Sequence, residues 1–193
     1  CDPCVYVSRD ATGQPILYLC IYVDDILVIG SSKTAMDNFE TAFGTRVTKV
    51  KSSEALRYVG ISIRRNRATR TITISQGPFI ADILQQEGMT GCTAKKTPAS
   101  AQVNLFTAKR GEHPDIRSVV GKVRYANDHT RPESLFVGSM LSSAAASPGS
   151  AHIAAVKHLM RYFSGTPHQG LTLGGVGPIK LEVWVDANCE DEG

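Results

Sequence analysis

The sequence predicts an α+β protein, with an antiparallel sheet and a helix first and a largely helical region after it. Short runs rich in Val, Ile and Tyr, separated by turn residues, account for most of the first 76 residues. From residue 77 to about 165, apolar residues recur mainly at helical spacing. The 193 residues are 42% hydrophobic and carry a net charge of +3, which suits a globular protein that can meet polyanions. No apolar run reaches the ~20 residues needed to cross a bilayer.

The N-terminal region is predicted to contain three strands and one helix. The predicted strands are 5–8, 16–23 and 26–29. The second strand is apolar on both faces, which predicts a central, covered strand. Asp24 and Asp25 are predicted to form the turn after it. A helix at 33–43 should follow and end at Gly44.

A second hairpin and four helices are predicted next. The hairpin pairs 57–63 with 71–75. The helices are predicted from Gly77-Pro78 to Gly88, at about 115–127, from Thr130, and from Pro148-Gly149-Ser150 to Gly165. Thr130 and Glu133 have the spacing of a capping box. Residues 90–114 are predicted to be a linker or domain seam, and 171–173 and 179–185 to be further strands.

The adjacent aspartates admit two interpretations. An Asp-Asp pair at a hairpin apex is most often a turn, because Asp tolerates turn conformations and bonds its own backbone. Here, however, the pair ends an apolar strand, and carboxylates at the edge of a buried sheet suit Mg²⁺. Two such ions clamping the attacking and leaving oxygens perform nucleotidyl transfer, and a third carboxylate would be needed to hold both.

The motifs resemble, in order, those of Copia-type LTR-retrotransposon reverse transcriptases. They are DPCVYV, YVDD, LRYVGISI with TITISQGPFIADIL, TPAS, RSVVGKVRYANDHTRPES, AAVKHLMRYFSGTPHQGLTL and VWVDAN. The resemblance implies that residues 1–76 are the C-terminal part of a polymerase palm. It implies a helical thumb and connection at 77–170 and the truncated beginning of a ribonuclease H-like domain at 171–193.

The resemblance also implies roles for individual residues. Asp24 and Asp25 correspond to the catalytic metal-binding aspartates, and Asp186 to the first metal-binding carboxylate of ribonuclease H. The implied primer-binding residues are Tyr22, Val23, Tyr58, Val59, Gly60 and Arg64. Read without the resemblance, Asp186 belongs to a solvated acidic tail that ends at Glu192.

The resemblance further implies a cofactor and partners. The cofactor is Mg²⁺ or Mn²⁺. The partners are an RNA or DNA template with its primer, dNTPs, and the fingers and ribonuclease H of the same polyprotein, with no membrane. The expected location is cytoplasmic, in a virus-like particle, or nuclear. Because the family's further catalytic aspartate lies upstream of YVDD, we expect the chain alone to be inactive or nearly so.

Three alternatives remain open at this point. The chain can be a relic or co-opted module that only binds nucleic acid or protein. Asn188 and Glu133, where the family usually has Asp, suit either a divergent lineage or a decaying copy. A generic metal-dependent hydrolase would explain the aspartates but not the second hairpin. Lys157 and Arg161 can be solvated charges or template contacts. If palm strands are missing, we expect the sheet to drive self-association or to be covered by the later helices.

Overall fold

The computed structural model describes residues 2–47, 53–54, 56–101, 104–111, 113–178, 180, 182–183 and 185. Its strands are β1 Val5–Arg9, β2 Pro15–Tyr22, β3 Asp25–Gly30, β4 Arg57–Tyr58, β5 Ile61–Asn66, β6 Thr71–Ser75 and β7 Gly170–Gly174. Its helices are α1 Lys33–Gly44, α2 Gly77–Gln86, α3 Arg117–His129, α4 Leu135–Ala144 and α5 Ser150–Gly165. A 3-10 turn, Pro132–Ser134, precedes α4. The predicted α+β class is confirmed.

The first sheet is antiparallel, in the order β1-β2-β3. The carboxylate of Asp10 closes the β1–β2 turn by accepting hydrogen bonds from the backbone N–H groups of Thr12 and Gln14. Ser32 is the N-cap of helix α1. Its hydroxyl accepts the N–H of Ala35 and so satisfies one of the unpaired donors of the first turn. The helix packs against β2 and β3. Because the strand order is β1-β2-β3, strand β2 is central, as predicted.

The prediction that β2 is covered on both sides is wrong. Leu17 is the one buried residue of β2. The opposite face, which carries Tyr18, holds several exposed apolar side chains. Its most exposed members are Val5 at 40%, Val7 at 40%, Tyr18 at 41%, Ile29 at 53% and Tyr22 at 56%. Helices α2–α5 make at most marginal contact with this sheet, so the possibility that they cover it is wrong for the described residues.

The second sheet is antiparallel, in the order β4-β5-β6-β7. Residues 57–63 were predicted as one strand, but they form β4, a two-residue turn and the start of β5, with Tyr58 paired to Ile61. Strand β7 pairs with β6 along its whole length, from Thr71↔Gly174 to Ser75↔Gly170. The expected domain boundary at residue 171 falls inside this strand. Of the predicted strand 179–185, the described residues belong to no strand.

The two faces of the second sheet differ sharply in chemistry. Alternation along the paired strands puts small and polar residues on one face and apolar ones on the other. The polar face carries Arg57, Ser62, Arg64, Asn66, Thr71, Thr73, Ser75, Gly170, Thr172 and Gly174. The hydroxyl groups of Thr73 and Thr172 are 2.9 Å apart across β6 and β7. The apolar face carries Tyr58, Ile61, Ile63, Arg65, Ile72, Ile74, Leu171 and Leu173.

Helices α2–α5 enclose the main hydrophobic core. Its most buried members include Ile80, Val123, Leu141, Leu159 and Phe163. Two helices supply much of this core, α2 through Ile80, Ile83 and Leu84 and α5 through Val156, Leu159, Met160, Tyr162 and Phe163. Residues 90–114 were predicted to be a linker or seam. Their described part instead packs against the helices, with Leu105 buried in the core.

The predicted capping box at Thr130 and Glu133 does not form. The Thr130 hydroxyl donates to the buried amide oxygen of Gln76 at 2.8 Å. Glu133 accepts from the Nε of Arg131 at 2.7 Å. The guanidinium of Arg131 also donates to the backbone oxygen and the hydroxyl of Thr166 and lies over the ring of Phe163. Thr130 and Glu133 thus serve tertiary contacts in place of a helix cap.

Candidate functional site

The aspartate turn lies one residue earlier than predicted. Tyr22 pairs with Asp25 at the end of the β2–β3 ladder, so Val23 and Asp24 are the turn residues and Asp25 begins β3. Because directly paired residues point to the same face, Asp25 shares the Tyr22 face of the sheet. All four side chains of the motif are exposed, and Val23 reaches 85%. The turn therefore presents both carboxylates to solvent.

Backbone strain marks this turn and the turn between β4 and β5. Val23 has φ 56° and Val59 has φ 47°, both in the left-handed region. A β-branched residue is disfavoured there because its Cβ crowds the following carbonyl, and such strain costs of order 1–3 kcal/mol. Strained backbone of this kind tends to cluster at functional sites, which fits a role for both turns.

The donor chemistry of the aspartate turn fits Mg²⁺ or Mn²⁺, since both prefer carboxylate oxygens. Two carboxylates are adjacent in sequence, on a turn fixed by the β2–β3 ladder. Among the described residues, no group of three His, Cys, Asp or Glu side chains is placed to hold a metal ion. The turn thus offers two carboxylates as ligands, fewer than a complete metal site needs.

The β4–β5 turn is Val59-Gly60, and both residues have positive φ. A tyrosine of α3 fastens this turn, because the Tyr125 hydroxyl donates to the backbone oxygen of Val59 at 2.7 Å. The Tyr125 ring packs edge-on against Phe79 with centroids 5.1 Å apart. Sequence reasoning missed Tyr125. The available signal is its position: Tyr125 lies outside the buried stripe of α3, so core packing does not explain a large aromatic side chain there.

A second tyrosine connects the two turns. The Tyr58 hydroxyl donates to the backbone oxygen of Cys20 on β2 at 3.1 Å. Partial burial raises the pKa of Tyr58, and negative charge at Cys20 and Asp25 adds to the effect. The hydrogen bond places the phenol against the strand that leads into the aspartate turn. The structure thus brings together residues 22–25 and 58–60, which the sequence predicted separately.

The arginines of the second hairpin do not share one surface. Arg57 and Arg64 lie on the polar face, whereas Arg65 lies on the apolar face opposite Ile72. Arg65, Arg67 and Arg70 line an open pocket of about 400 Å³ at the β5–β6 turn. Of the described arginines in the paired strands next to the Val59-Gly60 turn, Arg57 and Arg64 face the same side.

The other predicted site residues have separate outcomes. Asp186 lies outside the described residues. Arg161 is not a simple solvated charge, because its Nε donates to the Thr93 backbone oxygen at 2.6 Å and ties the loop to α5. Lys157 is exposed on α5. Within the part of the chain that the structure describes, no helix has the length and hydropathy to cross a membrane.

Comparison with known proteins decides the family. The family model described as reverse transcriptase (RNA-dependent DNA polymerase) matches residues 2–101, which is more than half of the chain and includes both turns. The chain belongs to the reverse transcriptase family. This confirms the resemblance inferred from the motifs. No solved structure gives a significant match.

The relatives of this reverse transcriptase chain include Copia-type retrotransposon Pol polyproteins. It is 30% identical over 179 residues to the retrovirus-related Pol polyprotein from transposon RE1 of Arabidopsis thaliana, covering 91% of this chain and 12% of that protein. It is 29% identical over 196 residues to the Pol polyprotein from transposon TNT 1-94 of Nicotiana tabacum, covering 97% and 15%. It is also 27% identical to the uncharacterized mitochondrial protein AtMg00810 of Arabidopsis thaliana, covering 89% and 71%. The chain spans less than a sixth of the two polyproteins.

Proposed function

We propose that the chain is part of an RNA-directed DNA polymerase of a Copia-type retrotransposon. Its first 76 residues would act as the C-terminal palm, residues 77–170 as thumb and connection, and 171–193 as the start of a ribonuclease H-like domain. The partners would be an RNA or DNA template with its primer, dNTPs and the rest of the polyprotein. The site of action would be a cytoplasmic virus-like particle or the nucleus.

Residues of the two turns would divide the chemistry between them. In nucleotidyl transfer the primer 3′-oxygen attacks the α-phosphorus of the dNTP, the bond to the β-phosphate breaks, and pyrophosphate leaves. Mg²⁺ or Mn²⁺ supplies charge stabilisation for the attacking and leaving oxygens. Asp24 and Asp25 would bind the metal. The exposed Tyr22 and Val23 beside them would contact the primer end.

The second hairpin would hold the primer strand. The backbone of Val59 and Gly60 lies in a tight turn that admits close approach, and the half-buried Tyr58 anchors it. Arg64 would bind a phosphate from the exposed polar face. Tyr125 would be a positioning residue, since it acts through the Val59 carbonyl.

The contact that carries this proposal is the hydrogen bond from Tyr58 to Cys20. It joins the sheet of the aspartate turn to the hairpin of the Val59-Gly60 turn over 38 residues of sequence. An Asp-Asp pair that served only as a turn would not require the strained Val59-Gly60 turn, held by Tyr125, beside it. A polymerase needs both, because the primer end has to be held beside the metal.

A metal-binding experiment tests the proposal on the chain itself. Manganese is titrated into the chain bound to primed template, and bound Mn²⁺ is read by electron paramagnetic resonance. We expect Asp24→Asn and Asp25→Asn each to reduce Mn²⁺ affinity at least tenfold. Asp82→Asn, an exposed aspartate on α2, is the matched control and should leave it unchanged. Equal Mn²⁺ binding by all three variants would overturn the proposal.

Primer extension gives the second test. The two carboxylates present at the turn are fewer than a two-metal site needs, so we expect the 193 residues alone to bind primed template without extending it. Expressed together with the coding sequence that flanks it in its source, the chain should extend the primer and lose this activity with Asp24→Asn. Extension by the 193 residues alone would contradict the expectation.

A second candidate function is a non-catalytic nucleic-acid-binding or interaction module. The match to the mitochondrial protein AtMg00810 favours it, because the chain covers 71% of that protein and only 12% and 15% of the polyproteins. This alternative predicts that salt-sensitive binding to primed template survives the Asp24→Asn and Asp25→Asn changes while no flanking sequence restores extension.

A further inference from the structure

The tip of the β5–β6 hairpin concentrates positive charge in a concave surface. Arg65, Arg67 and Arg70 line the pocket of about 400 Å³, together with Thr71 and Ile72. All three arginines are exposed. Arg67 pairs with Glu54 at 3.5 Å, but both side chains are more than 60% exposed, so the pair contributes little energy and a phosphate can displace the carboxylate.

The backbone that carries these arginines is fixed. The Asn66 side chain accepts the N–H groups of Ala68 and Thr69, which closes the turn. Arg70 has φ 55°, and its carbonyl accepts the N–H of Gly175 just beyond β7. A tip held at both ends presents guanidinium groups with less entropy left to lose on binding.

The chemistry of the pocket suits a sugar-phosphate backbone. Guanidinium groups bind phosphate oxygens in a bidentate manner, and three arginines line the pocket. Ile72, 40% exposed, offers an apolar wall against which a sugar can pack. The concave shape favours a strand of nucleic acid over a flat anionic membrane.

The position of the tip gives this site a register. Strand β5 has six residues and separates the tip from the Val59-Gly60 turn. At about 3.4 Å per residue the separation is about 17 Å. A nucleic-acid strand advances about 3.4 Å per nucleotide, so the same length corresponds to about five nucleotides.

We propose that the Arg65–Arg67–Arg70 pocket is a second phosphate-binding site that holds the nucleic-acid backbone about five nucleotides from the primer end. The site lies on the hairpin tip, away from Asp24 and Asp25, and differs from the Arg57 and Arg64 surface on the polar face. Its register rests on the proposed function, because that function puts the primer end at the Val59-Gly60 turn.

Binding measurements without divalent metal test the pocket independently of catalysis. Fluorescence anisotropy follows a labelled primer–template as salt is varied. Each phosphate that the protein no longer neutralises lowers the slope of log K against log salt by about 0.9. We expect the combined Arg65→Gln, Arg67→Gln and Arg70→Gln variant to lower the slope by about 2 to 3. The corresponding triple lysine variant should keep most of it.

A charge-matched control separates a site from general electrostatics. Arg46→Gln, Lys95→Gln and Lys96→Gln together remove the same charge from exposed positions elsewhere. This control should change the slope by less than about 1. Circular dichroism of each variant verifies that it is folded. An unchanged slope in a folded glutamine variant, or a loss of the same size in the control, overturns the pocket.

Duplex length tests the register. Binding affinity is compared for duplexes with 3 to 12 base pairs behind the primer end. Below about five base pairs the glutamine variant should bind as tightly as the wild type, and above that length it should bind more weakly. A loss that does not depend on length overturns the register.

Binding to phosphatidylserine vesicles that depends on these arginines, with no change for duplexes, overturns the nucleic-acid assignment. Because these measurements contain no divalent metal, failure here is distinct from failure of the metal site.

Discussion

The first sheet and the helical core of this chain are built from similarly apolar segments but reach opposite degrees of burial. In the helical core, Ile80, Leu141 and Leu159 are fully buried. In the three-stranded sheet, Leu17 is the only residue of the described strands that is buried, and one face exposes valine, isoleucine and tyrosine. Within the described residues, helices α2–α5 pack against one another, whereas α1 is the one helix in substantial contact with the sheet.

The burial that stabilises the chain and the turn proposed to carry the chemistry lie in different parts of the molecule. The helical core stabilises itself by burying apolar area at about 25 cal/mol per Å². The sheet that carries the aspartate turn has little such burial, and the region nearest the proposed chemistry depends on the Tyr58 and Tyr125 contacts for its position. We expect it to be the less stable part of the molecule.

One of the largest expected effects comes from the buried guanidinium of Arg131. Arg131→Ala leaves Glu133 and the Thr166 carbonyl without their partner inside the helical region. Arg131 is fully buried, but the Glu133 side chain is 30% exposed and keeps the Tyr162 hydroxyl as a donor. We therefore expect a loss at the lower end of the range for broken buried ion pairs, about 3 kcal/mol. Urea denaturation measures the loss in the free energy of unfolding.

Arg124→Ala is the matched control for that change. Arg124 pairs with Asp128 at 3.3 Å on the surface of α3, with both side chains largely exposed. Such a pair contributes about 0.5 kcal/mol or less. Equal losses in the two variants would show that the burial of Arg131 has no energetic consequence.

A pair of leucine truncations compares the two regions directly. Leu159→Ala in α5 removes a fully buried side chain and should cost about 2–5 kcal/mol. Leu19→Ala in β2 removes a half-buried one and should cost less than about half as much. Hydrogen exchange should also show faster opening of β1–β3 than of α5 in the wild type. Slower exchange in the sheet would reverse the comparison.

A smaller effect of opposite sign is expected at the β4–β5 turn. Val59→Asn puts Asn-Gly at a turn whose two residues both have positive φ, which is the preferred sequence for such a hairpin. Relief of strain should stabilise the chain by about 1 kcal/mol, measured by thermal unfolding.

Val7→Asn is the control for the turn substitution. Val7 is 40% exposed and lies in β1, where no positive φ is present. The same change should there lower stability, because Asn is disfavoured in strands. Stabilisation at Val7, or destabilisation at Val59, would count against strain as the cause.

The smallest effect is a pH dependence of the contact between the two turns. Because the pKa of Tyr58 is raised in the fold, its stabilising contribution is complete below the ordinary tyrosine value of about 10. It is lost as pH rises through the folded pKa. The difference in unfolding free energy between wild type and Tyr58→Phe, below about 1 kcal/mol, should therefore shrink from pH 8 to pH 11.

Tyr22→Phe serves as the comparison for this titration. Tyr22 is 56% exposed, so Tyr22→Phe removes a phenol that lies outside the contact between the two turns. We expect the shrinking difference to be confined to Tyr58→Phe. A shrinking difference for Tyr22 alone would mean that Tyr58 does not link the turns.

Much of the local structure was predictable because it depends on neighbouring residues. Alternation and turn residues located β1, β2 and β3 within one or two positions, and helical periodicity located α1, α2, α3 and α5. The Asp-Asp turn was misplaced by one residue, because Val23 accepts a left-handed conformation that its side chain disfavours. The Val59-Gly60 turn was missed for the same reason, since propensity alone reads residues 57–63 as one strand.

The α+β class, most of the order of elements and the family could be inferred from periodicity and ordered motifs alone. The contacts of Tyr58 and Tyr125, which hold the two turns near each other, and the burial of Arg131 became visible in the three-dimensional structure. It also separated the hairpin arginines between two faces and a tip. Such contacts join residues far apart in the chain, and their partners follow from packing, which no local pattern encodes.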